Sequence, residues 1–397
     1  MWSYVQRRHI RRIVRDELLQ RTEASEKPGR TTLPLRAPDR NAPSSPKNTI
    51  SAPPSTHDRS PTDLERQRET NAPPDEKESD VIIVRASGRE DPLDPRNWSL
   101  VARCKNIFIL SLLIFVQGWA GAADSMANAQ ASREFGVSQV AENLSTAMYL
   151  LGVGSGAVFA GPFSETFGRN PTYLGSTFCY LGFVLGSALT PTFGGQLACR
   201  YFVGLFASAT LSINGASVRD QFYPVKRAWV FPKIAWANVA SPVLAPVAGG
   251  WIVSNPRLGW RWTEWITLII SSFAFIIALL FLPETYLPLL LDWKAKELRH
   301  ATGDTRYTSE HAKSKGYFKT LKRNLPLTLV FARTEPAIIV LGSYLVLLYI
   351  LLFTFQSGFD YIFRETYQLS TGLTGSCFAA VAADPGSNPS IDYGRPP

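Results

Sequence analysis

Four cysteines in 397 residues, Cys104, Cys179, Cys199 and Cys377, fall at no metal-ligand spacing. That argues against a disulfide framework and leaves buried free thiols as the expectation. Histidine is equally scarce. His9, His57, His300 and His311 all lie outside the long apolar runs, so no Ser/His/Asp or Cys/His grouping recurs, and no glycine-rich phosphate cradle precedes a helix. The chain therefore reads as a non-enzyme, with no cofactor and no metal. Its net charge of +9 comes without a recognition module, which excludes nucleic acid as a partner. The N-terminus lacks the apolar core of a signal peptide. The deepest deficit is charge itself, which retreats to a few short clusters between Asn106 and Leu282.

What fills that region is apolar. Mean hydropathy is only −0.02 because residues 1–99 are polar. Their stretches RAPDRNAPSSPKN, SAPPSTHDRSPTD and NAPPDEKESD cannot bury enough apolar surface to offset chain ordering, so a disordered cytosolic tail is expected. Its first twenty residues differ, because Val5, Ile10, Ile13, Val14 and Leu18 are interleaved with Arg7, Arg8, Arg11, Arg12 and Arg15. This pattern suits a basic amphipathic helix that touches anionic lipid, with a cleaved targeting sequence as the alternative.

A helix needs roughly 20 mostly apolar residues to cross a hydrocarbon core about 30 Å thick. Six segments qualify: 106–127, 143–163, 172–190, 197–217, 229–253 and 263–282. A seventh covers 336–358. The sequence thus predicts an all-α membrane protein: a six-helix bundle over 100–282, a cytosolic central loop over 283–335, a seventh helix over 336–358, and a segment 359–397 too rich in Asp, Pro, Gly and Ser to span. Arg169, Arg219, Lys226 and Arg227 lie in short loops on the side of the tail, and the long loop adds Lys294, Lys296, Arg299 and others. The opposite side shows only Arg133, Arg257 and Arg261, so positive-inside bias places the N-terminus in the cytosol.

Three stretches carry chemistry. GPFSETFGRNP (Gly161 to Pro171) is a loop too short to fold alone, in which Gly161, Glu165, Gly168 and Arg169 make a tight turn bearing an acid and a base. RYFVGLFASA places Arg200 inside the fourth span, where an unpaired charge costs several kcal/mol, so use is the default reading and snorkelling to the interface the bland one. SPVLAPVAGGW (Ser241 to Trp251) sets Pro246, which removes a backbone hydrogen bond, beside Gly249 and Gly250, which permit a bend and close packing. Asp124 and Glu264 sit at the outer ends of spans one and six, as cation-attracting acids or as ordinary interfacial carboxylates.

These features resemble the opening of a major facilitator superfamily transporter. GPFSETFGRNP resembles that superfamily's loop signature between helices two and three, which implies a charge relay locking one conformational state. Asn170 stands where a second basic residue is common, which weakens the lock. Arg200 resembles the arginine of proton-coupled antiporters, and SPVLAPVAGGW looks like the fifth-helix signature of the same branch, with Ala245 replacing a glycine. DPRNWS, GWRWTEW, LPETYLPLLL and STGLTG look like the fungal twelve-helix drug:proton and polyamine antiporters. The resemblance covers residues 94–375 and implies antiport of protons against drugs, polyamines or other small amphipathic compounds, with the plasma membrane favoured over the vacuolar one. After STGLTG the family pattern stops, so the chain is expected to be incomplete at its C-terminus and not to transport alone. The alternative is a non-transporting membrane protein that pairs its exposed face with another subunit.

Overall fold

The computed structural model describes residues 2–26, 81–86, 88, 91–310, 321–322, 326, 330 and 333–378. In chain order the helices are α1 Trp2–Glu26, α2 Leu100–Ala122, α3 Asn128–Phe135, α4 Gln139–Phe167, α5 Arg169–Leu189, α6 Phe193–Gln221, α7 Pro224–Ser254, α8 Arg261–Phe281, α9 Leu287–Thr302, α10 Pro336–Asp360 and α11 Thr371–Cys377. A 3-10 turn, Ala123–Met126, continues α2. Seven helices are long and apolar enough to cross a membrane: α2 with that turn, α4 to α8, and α10. All seven expected spans are present, several extended at one or both ends by caps the hydropathy pattern does not mark. Ser99, Ser138 and Thr192 accept the first free N–H groups of α2, α4 and α6, donors that would otherwise face the interface unpaired.

In lipid there is little hydrophobic drive between helices, so close packing and internal hydrogen bonds must hold them. Both are visible. α4 and α6 meet through Gly152 and Gly204, where a Cβ on either would strike the backbone of the other helix. Polar side chains pair across helices: Asn106 Nδ2 donates to Gln221 Oε1 at 3.0 Å, Gln117 Nε2 to Thr210 Oγ1 at 2.9 Å, and Tyr149 OH to the Gln117 carbonyl at 2.7 Å. Around them Leu110, Leu113, Ile114, Ile213 and Ala278 fill a core between α2, α6 and α8. Large apolar groups such as Phe108, Phe178, Trp236, Ile269 and Phe273 point outward, as lipid contact requires.

The structure sharpens several expectations. The helix expected within the tail's first twenty residues is present. Residues 2–26 form α1, whose apolar stripe packs on protein: Ile10 and Val14 are buried with Leu289, Leu290, Trp293 and Leu298. Arg11 pairs with Glu297 at 2.9 Å and Lys294 with Glu17 at 2.6 Å. The central loop accordingly contains α9, and Ile82–Ile83 pairs in parallel with Tyr307–Thr308. Tail residues 27–80 lie outside the described residues. Segment 359–397 includes α11, packed on α7, and its residues beyond 378 are likewise outside. All four thiols are free, but Cys104 is exposed and the other three are half-buried.

Candidate functional site

Three residues flagged separately in the sequence converge at the end of the bundle away from α1 and α9. Arg200 lies in the second turn of α6, Asp124 in the turn after α2, and Glu264 in the first turn of α8. The Arg200 guanidinium contacts both acids: Nη2 lies 2.8 Å from Glu264 Oε1 and in contact with Asp124 Oδ2. Nη1 donates to the Ala120 carbonyl at 2.8 Å. Ser187 Oγ donates to Glu264 at 2.8 Å and Thr263 Oγ1 to Asp124 at 3.1 Å. All three charged residues are at most 5% exposed, so Arg200 does not snorkel. Two carboxylates on one guanidinium leave a formal excess of one negative charge, and a single exchangeable proton would cancel it. Just outside, Glu134 accepts from Arg261 Nη2 at 2.8 Å and from Trp260 Nε1.

The second construction sits at the opposite, basic end. Gly168, at φ +104°, turns the chain between α4 and α5, and a Cβ there would lie 2.5 Å from Leu289 Cδ2 and 2.6 Å from Glu284 Oε2. Only glycine fits both the backbone and the space. α5 has no side-chain cap of its own. Its first N–H groups are taken by a residue more than a hundred positions away: Arg169 N donates to Glu284 Oε1 at 3.0 Å and Asn170 N to Glu284 Oε2 at 3.1 Å. Thr285 and Tyr286 N–H groups donate to the same carboxyl, each at 2.9 Å. Burial pushes the Glu284 carboxyl above the ordinary range against the pull of these four bonds.

Arg169 itself reaches Asp220 at the end of α6, Nε to Oδ2 at 3.0 Å, and stacks over Tyr286. The acid partner expected from the motif was Glu165. Among the described residues Glu165 makes no ion pair, because it is half-buried on another face of α4 while Ser164 fills the place beside the guanidinium. Asn170 is not a weak substitute: its side chain donates to the Leu282 carbonyl. Gly161 has open space beside it and no contact that fixes its identity. In α7, Pro246, Gly249 and Gly250 line the approach of neighbours. A Cβ on Gly250 would fall 2.7 Å from the Thr371 carbonyl and one on Gly249 3.0 Å from that of Ala123.

Between the bundle and α10 lies a cavity of about 780 Å³. Asn128, Gln139 and Asn143 supply a polar wall, Leu345, Tyr349 and Phe353 an apolar one, and none of the lining residues is charged. Asp124 and Glu264, the expected substrate acids, do not line it. Sequence reasoning missed Asp220, Glu284, Glu142 and the cavity amides. Asp220 and Glu284 stood in recognisable stretches beside Arg219 and in LPETYLPLLL, but nothing local marks them as partners of residue 169.

A model of the Major Facilitator Superfamily matches residues 108–383. Among curated proteins, the chain is 39% identical over 301 residues to the MFS-type transporter kojT of Aspergillus oryzae, covering 75% of this chain and 53% of that one. It is 34% identical to the citrinin biosynthesis cluster MFS transporter mrr1 of Monascus ruber, over 80% of this chain and 64% of that protein. It is 29% identical to the major facilitator superfamily multidrug transporter FLU1 of Candida albicans, over 74% and 48%. The chain spans about half to two thirds of the length of these relatives.

Proposed function

Because the chain belongs to the Major Facilitator Superfamily, a family of membrane transporters, we propose that it supplies the first half and seventh helix of a proton-coupled exporter of small amphipathic compounds. The observation that carries the proton reading is the buried Arg200, Asp124 and Glu264 triad, whose excess negative charge gives one proton a place to bind and leave. The clamp of Arg169, Asp220 and Glu284 at the other end, with Ser164, joins α4, α5, α6 and the segment that follows α8 and must open if helices are to rock about a central site.

The cavity refines the substrate class. A polycation such as a polyamine needs carboxylates or aromatic faces arranged around its charges. This wall offers uncharged amides opposite an apolar face, which suits an uncharged compound with one polar and one apolar edge. The multidrug and citrinin-cluster transporters among its relatives are consistent with this class. The test is export from yeast stripped of its own drug exporters, expressing the chain alone and as a fusion to the second half of the Candida relative. Export of an uncharged amphipathic dye that stops on collapse of the proton gradient, and is lost in Arg200→Ala, is expected from at least one form. Export from neither, or export indifferent to the gradient, would refute the proposal.

A further inference from the structure

Glu142 is the buried acid the triad does not use. It lies in the first turn of α4, 1% exposed, and its partner is Gln196 in the first turn of α6, whose Nε2 donates to Glu142 Oε1 at 2.9 Å. No cation pairs with it among the described residues. The charged and titratable groups on the helices packed around this end are otherwise committed or turned away. Arg133 on α3 is exposed, Glu134 is held by Arg261, and Arg200 by Asp124 and Glu264. Tyr180 on α5 bonds Ser271, and Cys199 on α6 is a free thiol.

The pair also contains two buried atoms without partners, Glu142 Oε2 and Gln196 Oε1. Both are acceptors when the acid is ionised, and an ionised carboxylate buried with one neutral donor is a costly arrangement. A proton on Oε2 turns one acceptor into a donor, and a carboxylic acid and a primary amide are complementary, each offering one donor and one acceptor. Position adds the direction. Gln196 and Arg200 are four residues apart on α6, hence on one face and separated by roughly 6 Å along the axis. Gln196 is nearer the helix end.

We propose that Glu142 carries an exchangeable proton in this conformation and stages it, one helical turn outside the Arg200 triad, on the path between that end of the bundle and the triad. The assignment rests on the proton-coupled reading, yet it can be read without any transport. Dicyclohexylcarbodiimide adds to carboxyls that are protonated in apolar surroundings, so the purified full chain in lipid nanodiscs is labelled from about pH 5 to about pH 9 and the adduct located by mass spectrometry; an ordinary Glu, near pH 4.3, is almost wholly ionised at pH 7. The expected result is an adduct on Glu142 at neutral pH that fades toward alkaline pH and is absent from Glu142→Gln. Gln196→Leu, which removes the amide complement, should change the pH at which labelling fades while Glu142 stays labelled at acid pH. No adduct on Glu142 at neutral pH, or labelling flat across the whole range, would overturn the proposal. Loss of export with titrating Glu142 labelling would instead count against the exporter reading alone.

Discussion

Removing the Glu284 carboxyl should loosen the basic end of the bundle more than any surface change nearby. In Glu284→Ala the N–H groups of Arg169 and Asn170, both residues buried to within a few per cent, lose their acceptor at the start of a helix with no other side-chain cap. Each buried, unpaired donor costs about 1–3 kcal/mol. The two share one acceptor and will not add fully, so the expected loss is about 2–5 kcal/mol. Thr285 and Tyr286 are left out of the sum, because the altered segment itself can relax to rehydrate them. Glu284→Gln separates capping from simple disruption. Its carbonyl can replace Oε1, which accepts from Arg169, Thr285 and Tyr286, but its amide then faces the Asn170 N–H that Oε2 had accepted. It should lose about half as much as the alanine variant. The assay is reversible unfolding in mixed micelles, with backbone amide exchange at residues 169 and 170 as the local reporter. An alanine variant within about 1 kcal/mol of wild type, or exchange unchanged at those two amides, would refute the reasoning.

Arg200→Lys keeps the charge but not the planar fork that reaches Asp124, Glu264 and the Ala120 carbonyl together. Losing one charge-assisted bond at about 1.5–3 kcal/mol should slow gradient-driven export about tenfold or more, and wild-type rates would reduce Arg200 to a bare charge. Burial pushes the Glu134 carboxyl up, but hydrogen bonds from Arg261 and Trp260 outweigh it and hold the group below the ordinary range. A depressed folded pKa gives stability that is present above the unfolded value, about 4.3, and lost as pH falls through the folded one. Wild type should therefore lose more melting temperature on acidification than Glu134→Gln, by an amount within about 1 kcal/mol for so exposed a pair; parallel curves would contradict this. Gly250→Val places atoms where the Thr371 carbonyl now stands and should detach α11, read as faster proteolysis after residue 358. Orientation is checked by Lys296→Cys, which should resist an impermeant maleimide on intact cells and react after permeabilisation.

The membrane architecture was legible because its signal is coarse. Twenty-odd apolar residues between short polar turns can form only helices in lipid, and the GPFSETFGRNP stretch marked the turn between α4 and α5. Arg200, Asp124 and Glu264 could each be picked out as costly groups near a membrane. Their union could not, since they lie on three helices and nothing local records which faces meet. Glu165 shows the converse error. Proximity in sequence suggested it as the partner of Arg169, whereas the geometry of a turn at Gly168 sends the arginine toward Asp220 on another helix. The tail was legible only in part. Its first helix was marked by apolar residues interleaved with arginines, but the surface it docks on, α9, lies in a stretch whose polar composition reads as a loop.

That last contact joins the tail to the clamp. Gln6 on α1 donates to the Glu284 carbonyl at 2.9 Å and accepts from the Glu284 N–H at 3.0 Å, so the residue that caps α5 is itself fixed by the N-terminal helix. α1 in turn is fastened to α9 by buried apolar side chains and two ion pairs. Separating α5 from α8 must break the bonds of Glu284 to Arg169 and Asn170, while the bonds to Gln6, Thr285 and Tyr286 remain on one side of the break. The parting line at the basic end therefore runs between α5 and the unit made of α1, α9 and the end of α8. It passes through Gly168, where a positive φ and the closeness of Leu289 and Glu284 together leave no room for a side chain. The opposite end is joined by the buried Arg200, Asp124 and Glu264 triad and by the apolar contact of Ala127, Ala131, Val253 and Trp260, so on the proposed function protonation would act at that end and mechanical separation at the basic one.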